Sequence, residues 1–599
     1  MIAFFIIALH DVMIKGAVII DGTGRSRYKA DVGLINGSIS FIGDSFNETY
    51  IEEINANGYF LTPGFIDVHA HLDIATFLDP RFLPQVTQGI TSVAIGMCGL
   101  SPAPSSQKTD SPLYKYWKLN SIPQYVSHPF STFGIYLEEL SKIPKAINII
   151  PLVGHGAIRD MVLGNSDRDP TEQEINEMKK HAEEAMKSGA FGMTTGLIYA
   201  PGVFSKVHEL IEVSKTIAQY GGIYMSHIRS EIDDVVPSVE EVIKVGKEAN
   251  IPAQVHHFKV FANKNVGKAV EAARKIEDAR KLGYDITADQ YPYLMSNTGL
   301  TAVLPPWVIV GSSSDAIDRL TNSTTRAKIR NDILNGYPGF DSRWVSFGGP
   351  EKIVIVSAPS NIEYSGKNIV ELAGAEDPLE WTLNYLRDHY TENIGCLYYG
   401  IQEYDMREIM LKDYVMLGSD GFFVNVSSPE KVHPRSIGSH AKLLRYFVKE
   451  ENFLTLENAI RKMSGFPAER YGISTKGKIK VGFDADINIF KLSDINDRTG
   501  ETGDVILSTG MKYVFINGTK VIDQGSLTYN NPGQVLRRYN YPINVPHPSN
   551  TPNQQVTKKP NALIAVIIIG VIVIAIPVVY LIMRRGGNDE NSSLSNVIL

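Results

Sequence analysis

An alternation of strand-like and helix-like patterns through the middle of the chain most restricts the fold. The best helical pattern, Thr171 to Ser188, opens with the capping box Thr171-x-x-Glu174. Eight strand–helix units in about 400 residues predict a (β/α)8 TIM-like barrel with insertions. A doubly wound sheet is the competing fold, but it would distribute ligands less evenly over the strand ends. The candidate strands are Phe65–Leu72, Thr91–Cys98, Ile149–Gly154, Gly189–Thr195, Gly222–Ile228, Ala253–Lys259, Tyr284–Tyr291 and Tyr414–Asp420.

The regions around these units suggest further parts, because 599 residues exceed one simple core. We expect the barrel over residues 62–471, with an insertion at about 292–413 that covers its mouth. Residues 10–61 and 472–540 carry short strand patterns and Asn-Gly turns. They are predicted to pair into a small β-sandwich formed by both chain ends.

The two termini differ from the rest in composition. Residues 562–583 form a 22-residue run without a charge, long enough for a single-pass transmembrane helix. A stalk rich in Pro, Asn and Thr is predicted at 541–561, and a polar tail at 584–599. The apolar residues 1–9 fit either an atypical signal or a start site placed too early. We expect an extracellular catalytic domain with a C-terminal membrane anchor, although basic pairs on both sides leave its sidedness open.

The net charge of −7 argues against a nucleic-acid partner, which would need a basic stripe. The chain has two cysteines, which cannot make a disulfide framework.

Metal-ligand residue types stand at the ends of the predicted strands, where a barrel carries its chemistry. His69 and His71 end the first strand two positions apart, so both imidazoles project to one side. Cys98 ends the second strand, and a thiolate is a strong ligand for zinc. Taken singly, each has an ordinary alternative: histidines that happen to lie near a strand end, or a small buried cysteine.

Later strands extend this pattern. His227 follows the fifth strand and Asp420 the eighth. In the sixth, strand alternation places His257 and Lys259 on one face and His256 on the other, so we expect only one of the two histidines to be a ligand. Together these residues predict a metal centre at the barrel mouth.

The motifs PGFIDVHAHLD, GMCGLSPAP, VGHGAIR, TTGLIYAPG, SHIRSE, HHFK, DQYPYLMS, GSDG, HPRSIG and PGQVLRR resemble the D-aminoacylase (N-acyl-D-amino-acid deacylase) branch of the amidohydrolase superfamily. The resemblance extends from about residue 11 to 540. The departures are Met97 where the family usually has Asn, His256 where serine is common, and the membrane anchor. The fourth strand has no lysine for the carboxylated bridge of many amidohydrolases, which disfavours the hydantoinase and dihydroorotase branches.

The resemblance implies roles for single residues. Cys98, His227 and His257 would hold a tightly bound Zn²⁺, and His69, His71 and Asp420 a second, weaker site. Asp420 would act as general base and then general acid. Tyr199 would line the acyl side. The substrate α-carboxylate would be bound by Lys259, Tyr291, Ser296 and Arg435.

The expected function is therefore zinc-dependent hydrolysis of N-acyl-D-amino acids to a carboxylate and a D-amino acid. A related amidohydrolase acting on D-dipeptides or cyclic amides is the enzymatic alternative. A surface-anchored binding protein on a decayed barrel is the non-enzymatic alternative, and it predicts lost ligands, whereas the sequence retains them all. Tyr291 and Ser296 have an ordinary reading as loop residues, and Arg435 as the partner of a structural acid.

Overall fold

The computed structural model describes residues 9–46, 48–106, 130–499 and 503–541. The predicted membrane helix, the polar tail and all but the first residue of the predicted stalk lie outside these ranges, as do residues 1–8. Within them, no helix has the length and apolar character needed to cross a bilayer.

Strands dominate both ends of the described chain and alternate with helices between them. They are β1 (Leu9–Ile19), β2 (Tyr28–Ile35), β3 (Ser38–Gly43), β4 (Thr49–Asn55), β5 (Phe60–Pro63), β6 (Phe65–Asp67), β7 (Ala70–His71), β8 (Ile90–Ile95), β9 (Asn148–Pro151), β10 (Val153–Gly154), β11 (Gly192–Gly196), β12 (Ile223–His227), β13 (Ala253–Val255), β14 (Ile286–Gln290), β15 (Met295–Gly299), β16 (Ile353–Ser357), β17 (Gly395–Tyr399), β18 (Val415–Leu417), β19 (Gly421–Phe422), β20 (Ile487–Phe490), β21 (Met511–Ile516), β22 (Thr519–Asp523) and β23 (Ser526–Leu527).

The helices are α1 (Ala75–Leu78), α2 (Leu83–Val86), α3 (Phe133–Lys142), α4 (His155–Leu163), α5 (Glu172–Lys187), α6 (Val207–Gln219), α7 (Val235–Glu248), α8 (Lys268–Lys281), α9 (Ser313–Thr321), α10 (Ser323–Asn335), α11 (Arg343–Ser346), α12 (Ile369–Ala373), α13 (Pro378–Asp388), α14 (Glu403–Met410), α15 (Arg435–Lys442), α16 (Leu456–Met463) and α17 (Gly465–Tyr471). A π-helical segment, Leu443–Glu450, continues α15. Short 3-10 turns occur at Gly202–Phe204, Asn263–Asn265, Leu300–Val303, Pro306–Ile309, Pro350–Lys352, Ile362–Tyr364 and Arg538–Asn540.

Helix α5 shows how directly local sequence sets an element. The Thr171 hydroxyl accepts a hydrogen bond from the Glu174 backbone N–H, and the Glu174 carboxylate accepts one from the Thr171 backbone N–H. These two bonds satisfy donors that the first helical turn leaves free. Its apolar stripe, which includes Met178 and Ala182, is buried in the main core.

The parallel strands form a barrel. Strands β6, β8 and β9 pair in that order, and β10, β11, β12, β13, β14 and β18 pair in the next sheet. The ring closes where β19 pairs in parallel with β7, Gly421 opposite Ala70. Each of the eight predicted barrel strands overlaps an observed strand. Helices lie between successive strands, so the fold is the α/β class expected.

Several strands end earlier than predicted. The sixth was expected to run to Lys259, but β13 ends at Val255. The reason is local geometry: His257 has a φ of 30°, Cys98 of 52° and Asp420 of 51°. Extended strand requires a negative φ, so these residues lie in tight turns just beyond the strands.

Strands from both chain ends meet in one nine-stranded sheet. Strand β5 is the junction, because it pairs in parallel with β1 and antiparallel with β20. Buried aliphatic side chains such as Ile14, Leu61 and Ile487 form a second core there.

The insertion between β14 and β18 has its own small fold. Strands β15, β17 and β16 form an antiparallel sheet, with α9 to α13 around it. Residues of this insertion and of the barrel loops line a cavity of about 580 Å³, which also reaches His71 and Asp420.

Candidate metal centre

Four predicted ligands converge at the barrel mouth. His69, Cys98, His257 and Asp420 each place one donor atom within 4.8 Å of the others. The Cys98 Sγ lies 3.5 Å from His69 Nε2 and 3.4 Å from His257 Nε2. His69 Nε2 is 3.4 Å from Asp420 Oδ1. All four side chains are buried, so their donor atoms face one another rather than bulk water.

The other two predicted ligands border this group. His71 Nε2 lies 3.1 Å from Asp420 Oδ1. The ring of His227 lies 4.4 Å from that of His257, centroid to centroid, and His227 Nε2 is 3.8 Å from Glu231 Oε2. The structure thus brings all six predicted ligands to one place.

Backbone geometry at Cys98 explains how a thiol reaches this centre. Gly96 has a φ of 83°, and a Cβ there would lie 1.8 Å from the Leu152 carbonyl oxygen. Only glycine fits so close an approach. The Gly99 backbone N–H is fixed by the Thr194 hydroxyl at 3.0 Å. The tight Gly96–Gly99 turn therefore aims Cys98 into the barrel.

Asp289, at the end of β14, was not predicted and organises two of the ligands. Its carboxylate lies 3.0 Å from His69 Nδ1 and accepts the His257 backbone N–H at 2.8 Å. Gln254 Nε2 donates to its other oxygen at 2.7 Å. A carboxylate on Nδ1 turns Nε2 of His69 toward Cys98, the usual arrangement behind a metal-binding histidine. Its position at a strand end, within DQYPYLMS, was the available signal.

Glu231 was also missed, although it ends the quoted SHIRSE motif. One oxygen lies 3.0 Å from His257 Nδ1 and forms an ion pair with Lys259. The Lys259 Nζ is itself 2.8 Å from His257 Nδ1. Lys259, predicted to bind the substrate α-carboxylate, is therefore already paired with a carboxylate of the protein.

His256 differs from its prediction. Its Nδ1 lies 3.8 Å from Cys98 Sγ, and its ring is 4.2 Å from that of His69. It also groups with His69 and Asp289 as a set of potential ligands. Strand alternation was expected to place His256 and His257 on opposite faces, but both lie near Cys98, because β13 ends at Val255 and His257 has a positive φ. The expectation that only one of the two is a ligand stays a prediction.

Burial and neighbouring charges set the protonation states. Burial lowers the pKa of His227 and His257 well below the usual histidine value, so both imidazoles are neutral at pH 7. Burial also raises the pKa of the Cys98 thiol. For Asp420, burial acts to raise the pKa, but Arg435, His257 and His69 outweigh it and hold the carboxyl ionised.

The predicted carboxylate-binding residues are only partly assembled. Arg435 forms an ion pair with Asp420 at 2.7 Å, and its guanidinium carbon lies 4.8 Å from the centre of the Tyr291 ring. The Lys259 Nζ is 5.5 Å from the same ring. Ser296 lies half-buried on β15, beside Asn297, whose carbonyl accepts Arg435 NH2 at 3.2 Å. Asn297 was not predicted.

Tyr199 borders the ligand histidines from another direction. Its ring is 5.0 Å from that of His227, and its hydroxyl accepts from Thr298 at 3.3 Å. It also lines the large cavity, where the sequence placed it on the acyl side.

The donors fit a zinc ion. A thiol, imidazoles and a carboxylate are the ligand types that zinc takes. Both ring nitrogens of His227 are buried without a hydrogen-bond partner among the described residues. An unpaired buried polar group is costly, and a metal ligand position accounts for it. Cys98, His227 and His257 would hold one ion, and His69, His71 and Asp420 a neighbouring one.

A closed parallel barrel with a Cys/His/Asp centre at the carboxyl ends of its strands defines a metal-dependent hydrolase of the amidohydrolase class. Models of the Amidohydrolase family match residues 52–334 and 397–521. The chain is 31% identical over 532 residues to N-acyl-D-glutamate deacylase of Alcaligenes xylosoxydans xylosoxydans, covering 88% of this chain and 96% of that one. It is 28% identical over 528 residues to D-aminoacylase of the same organism, covering 88% of this chain and 98% of that one.

A solved structure agrees. N-acyl-D-glutamate deacylase of Bordetella bronchiseptica, complexed with zinc and a phosphonate inhibitor, superposes with a TM-score of 0.75 at 28% identity, over 88% of this chain and all of that one. The chain belongs to the D-aminoacylase (N-acyl-D-amino-acid deacylase) family of amidohydrolases.

Proposed function

We propose that the protein hydrolyses the amide bond of N-acyl-D-amino acids with zinc as its metal. The observation that carries this proposal is the position of Asp420, whose carboxylate borders both the metal ligands and the Arg435 guanidinium. A single carboxyl group thereby connects the place where water is activated with the place where a substrate anion binds. The relatives named above act on this substrate class.

Asp420 is suited to proton transfer. Zinc, when bound, would supply Lewis acidity and would lower the pKa of water to near 7. Arg435 and the histidines keep Asp420 ionised, so it can accept a proton from water. The same carboxyl group then delivers that proton to the leaving amine. The buried mouth strengthens these charge interactions.

The cations and hydroxyl groups near Asp420 would orient the substrate. The Arg435 fork can take both oxygens of an α-carboxylate and so fixes direction as well as charge. Tyr291 adds a buried hydroxyl without a hydrogen-bond partner among the described residues. Lys259 contributes positive charge while it is paired with Glu231. Ser296 would add a hydroxyl group to the carboxylate-binding residues.

The proposed setting is a membrane surface. The support is the uncharged 22-residue run at 562–583, which follows a stalk-like segment. Recovery of the full chain in the detergent phase, and of a chain ending at residue 541 in the aqueous phase, would be the expected fractionation. Recovery of both chains in the aqueous phase would refute the anchor.

The central test measures amine release by the zinc-loaded protein from three substrates: N-acetyl-D-leucine, N-acetyl-L-leucine and N-acetyl-D-leucinamide. We expect release in the D-series, strong preference for the free acid over the amide, and loss of that preference in Arg435→Met. The amide serves as matched control, because it lacks only the anionic charge. Equal rates on D and L substrates, or no release with zinc bound, would refute the proposal.

A further inference from the structure

His433 precedes α15 by two residues, and its imidazole forms a hydrogen bond through each ring nitrogen. Its Nδ1 accepts the Arg435 backbone N–H at 3.0 Å. Its Nε2 lies 2.9 Å from the Met295 carbonyl oxygen, on strand β15. A carbonyl oxygen can only accept a hydrogen bond, so the ring proton lies on Nε2 and Nδ1 is a bare acceptor. The two contacts therefore define a single tautomer of His433.

The surroundings of His433 keep this ring neutral and in place. The side chain is fully buried. The rings of Tyr291 and Tyr293 pack edge-on against the imidazole, with centroids 5.9 and 5.5 Å away. Burial, with a smaller contribution from Arg435, lowers the pKa of His433 well below the usual histidine value. A neutral imidazole has one donor and one acceptor, which match its two partners.

Arg435 contacts the same strand as His433. Its NH2 donates to the Asn297 carbonyl at 3.2 Å, while its NH1 pairs with Asp420 at 2.7 Å. Met295 and Asn297 lie two residues apart on β15, which is an outer strand of the insertion sheet. Outer strands carry carbonyl groups that need partners from outside the sheet. His433 and Arg435 therefore attach the edge of the insertion sheet to the start of α15.

We propose that His433 is a positioning residue for substrate recognition: it fixes the direction of Arg435 and the place of β15, and thereby sets how well the substrate α-carboxylate is bound. The inference rests on the proposed function, in which Arg435 binds that carboxylate. A backbone N–H at a helix start has no partner within the helix, so the bond to Nδ1 fixes the chain where α15 begins. A guanidinium binds a carboxylate through two parallel hydrogen bonds, which require one orientation of the side chain.

The test measures the ratio of kcat/KM for N-acetyl-D-leucine to that for N-acetyl-D-leucinamide in the full-length, zinc-loaded protein. His433→Phe removes both hydrogen bonds and should lower this ratio about tenfold, mainly through a higher KM for the free acid. His433→Asn keeps a polar atom near the position of Nδ1 and should hold the ratio within about threefold of the unaltered value. His433→Gln keeps a polar atom only near the position of Nε2 and should lose as much as His433→Phe.

Two further variants separate positioning from a purely structural role. Arg435→Met combined with His433→Phe should give the same ratio as Arg435→Met alone, because His433 acts through Arg435. His440→Phe is the matched control. His440 is a buried histidine of the same helix, and neither of its ring nitrogens has a hydrogen-bond partner among the described residues. Its substitution should leave the ratio unchanged.

A measurement independent of catalysis is the tautomer of His433. In nitrogen NMR of histidine-labelled protein, the imidazole signal that is lost in His433→Asn should show a proton on Nε2 and none on Nδ1. A proton on Nδ1 would overturn the inference. Equal losses of the ratio with and without Arg435 would also overturn it.

An unchanged ratio in His433→Phe would contradict the inference as well. If His433→Phe does not fold, equal ratios in His433→Asn, His433→Gln and the unaltered protein would have the same meaning. In each of these cases, D-specific amine release from N-acetyl-D-leucine by the unaltered protein upholds the proposed function. No release from any D-substrate would overturn both.

Discussion

Two buried polar clusters in this protein contain similar side chains but differ in how completely their polar atoms are paired. The first, here called the closed cluster, consists of Lys476, Asp486, Asn517 and Asn148, between the joint sheet and the amino end of β9. Lys476 Nζ lies 2.9 Å from Asp486 and 2.8 Å from the Asn517 amide oxygen. Asn517 donates to Asn148 at 2.9 Å. Every strong donor in the closed cluster has a protein acceptor.

The metal centre is the second cluster, and it is left incomplete. Among the residues that the structure describes, neither ring nitrogen of His227 has a hydrogen-bond partner, and Nε2 of His256 has none. Three of its residues, Cys98, His257 and Asp420, have positive φ, which costs about 1–3 kcal/mol each at non-glycine positions. Complete pairing stabilises a fold, whereas incomplete pairing and strain in a buried site indicate that something else is to be bound there.

The largest effect expected is on catalysis. Asp420→Asn keeps the shape of the side chain but removes its basicity, and should lower kcat on N-acyl-D-amino acids by about 10²- to 10⁴-fold. The variant also leaves the buried Arg435 guanidinium without its carboxylate partner, so its unfolding temperature should fall, and kcat is measured at a temperature at which the variant is folded. A variant that keeps a tenth or more of the normal kcat would mean that another group transfers the proton.

Breaking the closed cluster should instead affect stability. Lys476→Met leaves the buried Asp486 carboxylate without its cation, and the free energy of unfolding should fall by about 3–5 kcal/mol. Urea unfolding gives this value, and zinc content provides the control, since it should stay at the normal stoichiometry. If Lys476→Met lost zinc and kept its stability, the closed cluster would not have the stabilising role assigned to it here.

A smaller effect on metal affinity should follow from Asp289→Asn. The amide cannot orient His69 and the His257 backbone as the carboxylate does, so zinc affinity should fall by about 10- to 100-fold. Competition with a chelator measures the change. Thr287→Val is a useful comparison, since Thr287 contacts Gln254 behind Asp289, and should produce a lesser loss. Unaltered zinc affinity in Asp289→Asn would show that His69 and His257 keep their orientation without the Asp289 carboxylate.

The smallest expected effect is a change, at high pH, in the contribution of Lys476 to the free energy of unfolding. Burial lowers the pKa of Lys476, but Asp486 and Asp484 outweigh it and raise the pKa above the ordinary 10.5. Its contribution to stability is therefore complete below about pH 10.4 and is lost as pH rises through the folded-state pKa. The difference in unfolding free energy between the unaltered protein and Lys476→Met should be constant from pH 7 to 9 and should narrow only as pH rises above about 10.4. A difference that widens there would reverse the assigned sign.

Sequence reasoning located the barrel because its signals are local. Apolar runs and turn residues mark each strand, and Thr171 with Glu174 marks the start of α5 through contacts three residues apart. The six residues predicted as ligands come together because parallel strands of one barrel present their carboxyl ends on one side.

The features that were missed depend on contacts between distant residues. Asp289 meets His69 from 220 positions away, and Arg435 finds Asp420 through the placement of α15. No periodicity encodes such pairs. The positive φ at His257 could not be predicted either, because the sequence His-His-Phe-Lys contains no glycine that would indicate a turn. Without knowledge of that turn, the orientation of His256 could not be derived.

The pairing of β5 with β20 bears on how the protein is made. Strands β1 and β5 leave the ribosome early, whereas β20 begins more than 400 positions later. At about 5–20 residues per second, the edge of β5 waits on the order of tens of seconds for its partner. During that interval an exposed strand edge can pair with another nascent chain. Synthesis of this protein therefore includes a period in which the β5 edge is open to pairing with another chain.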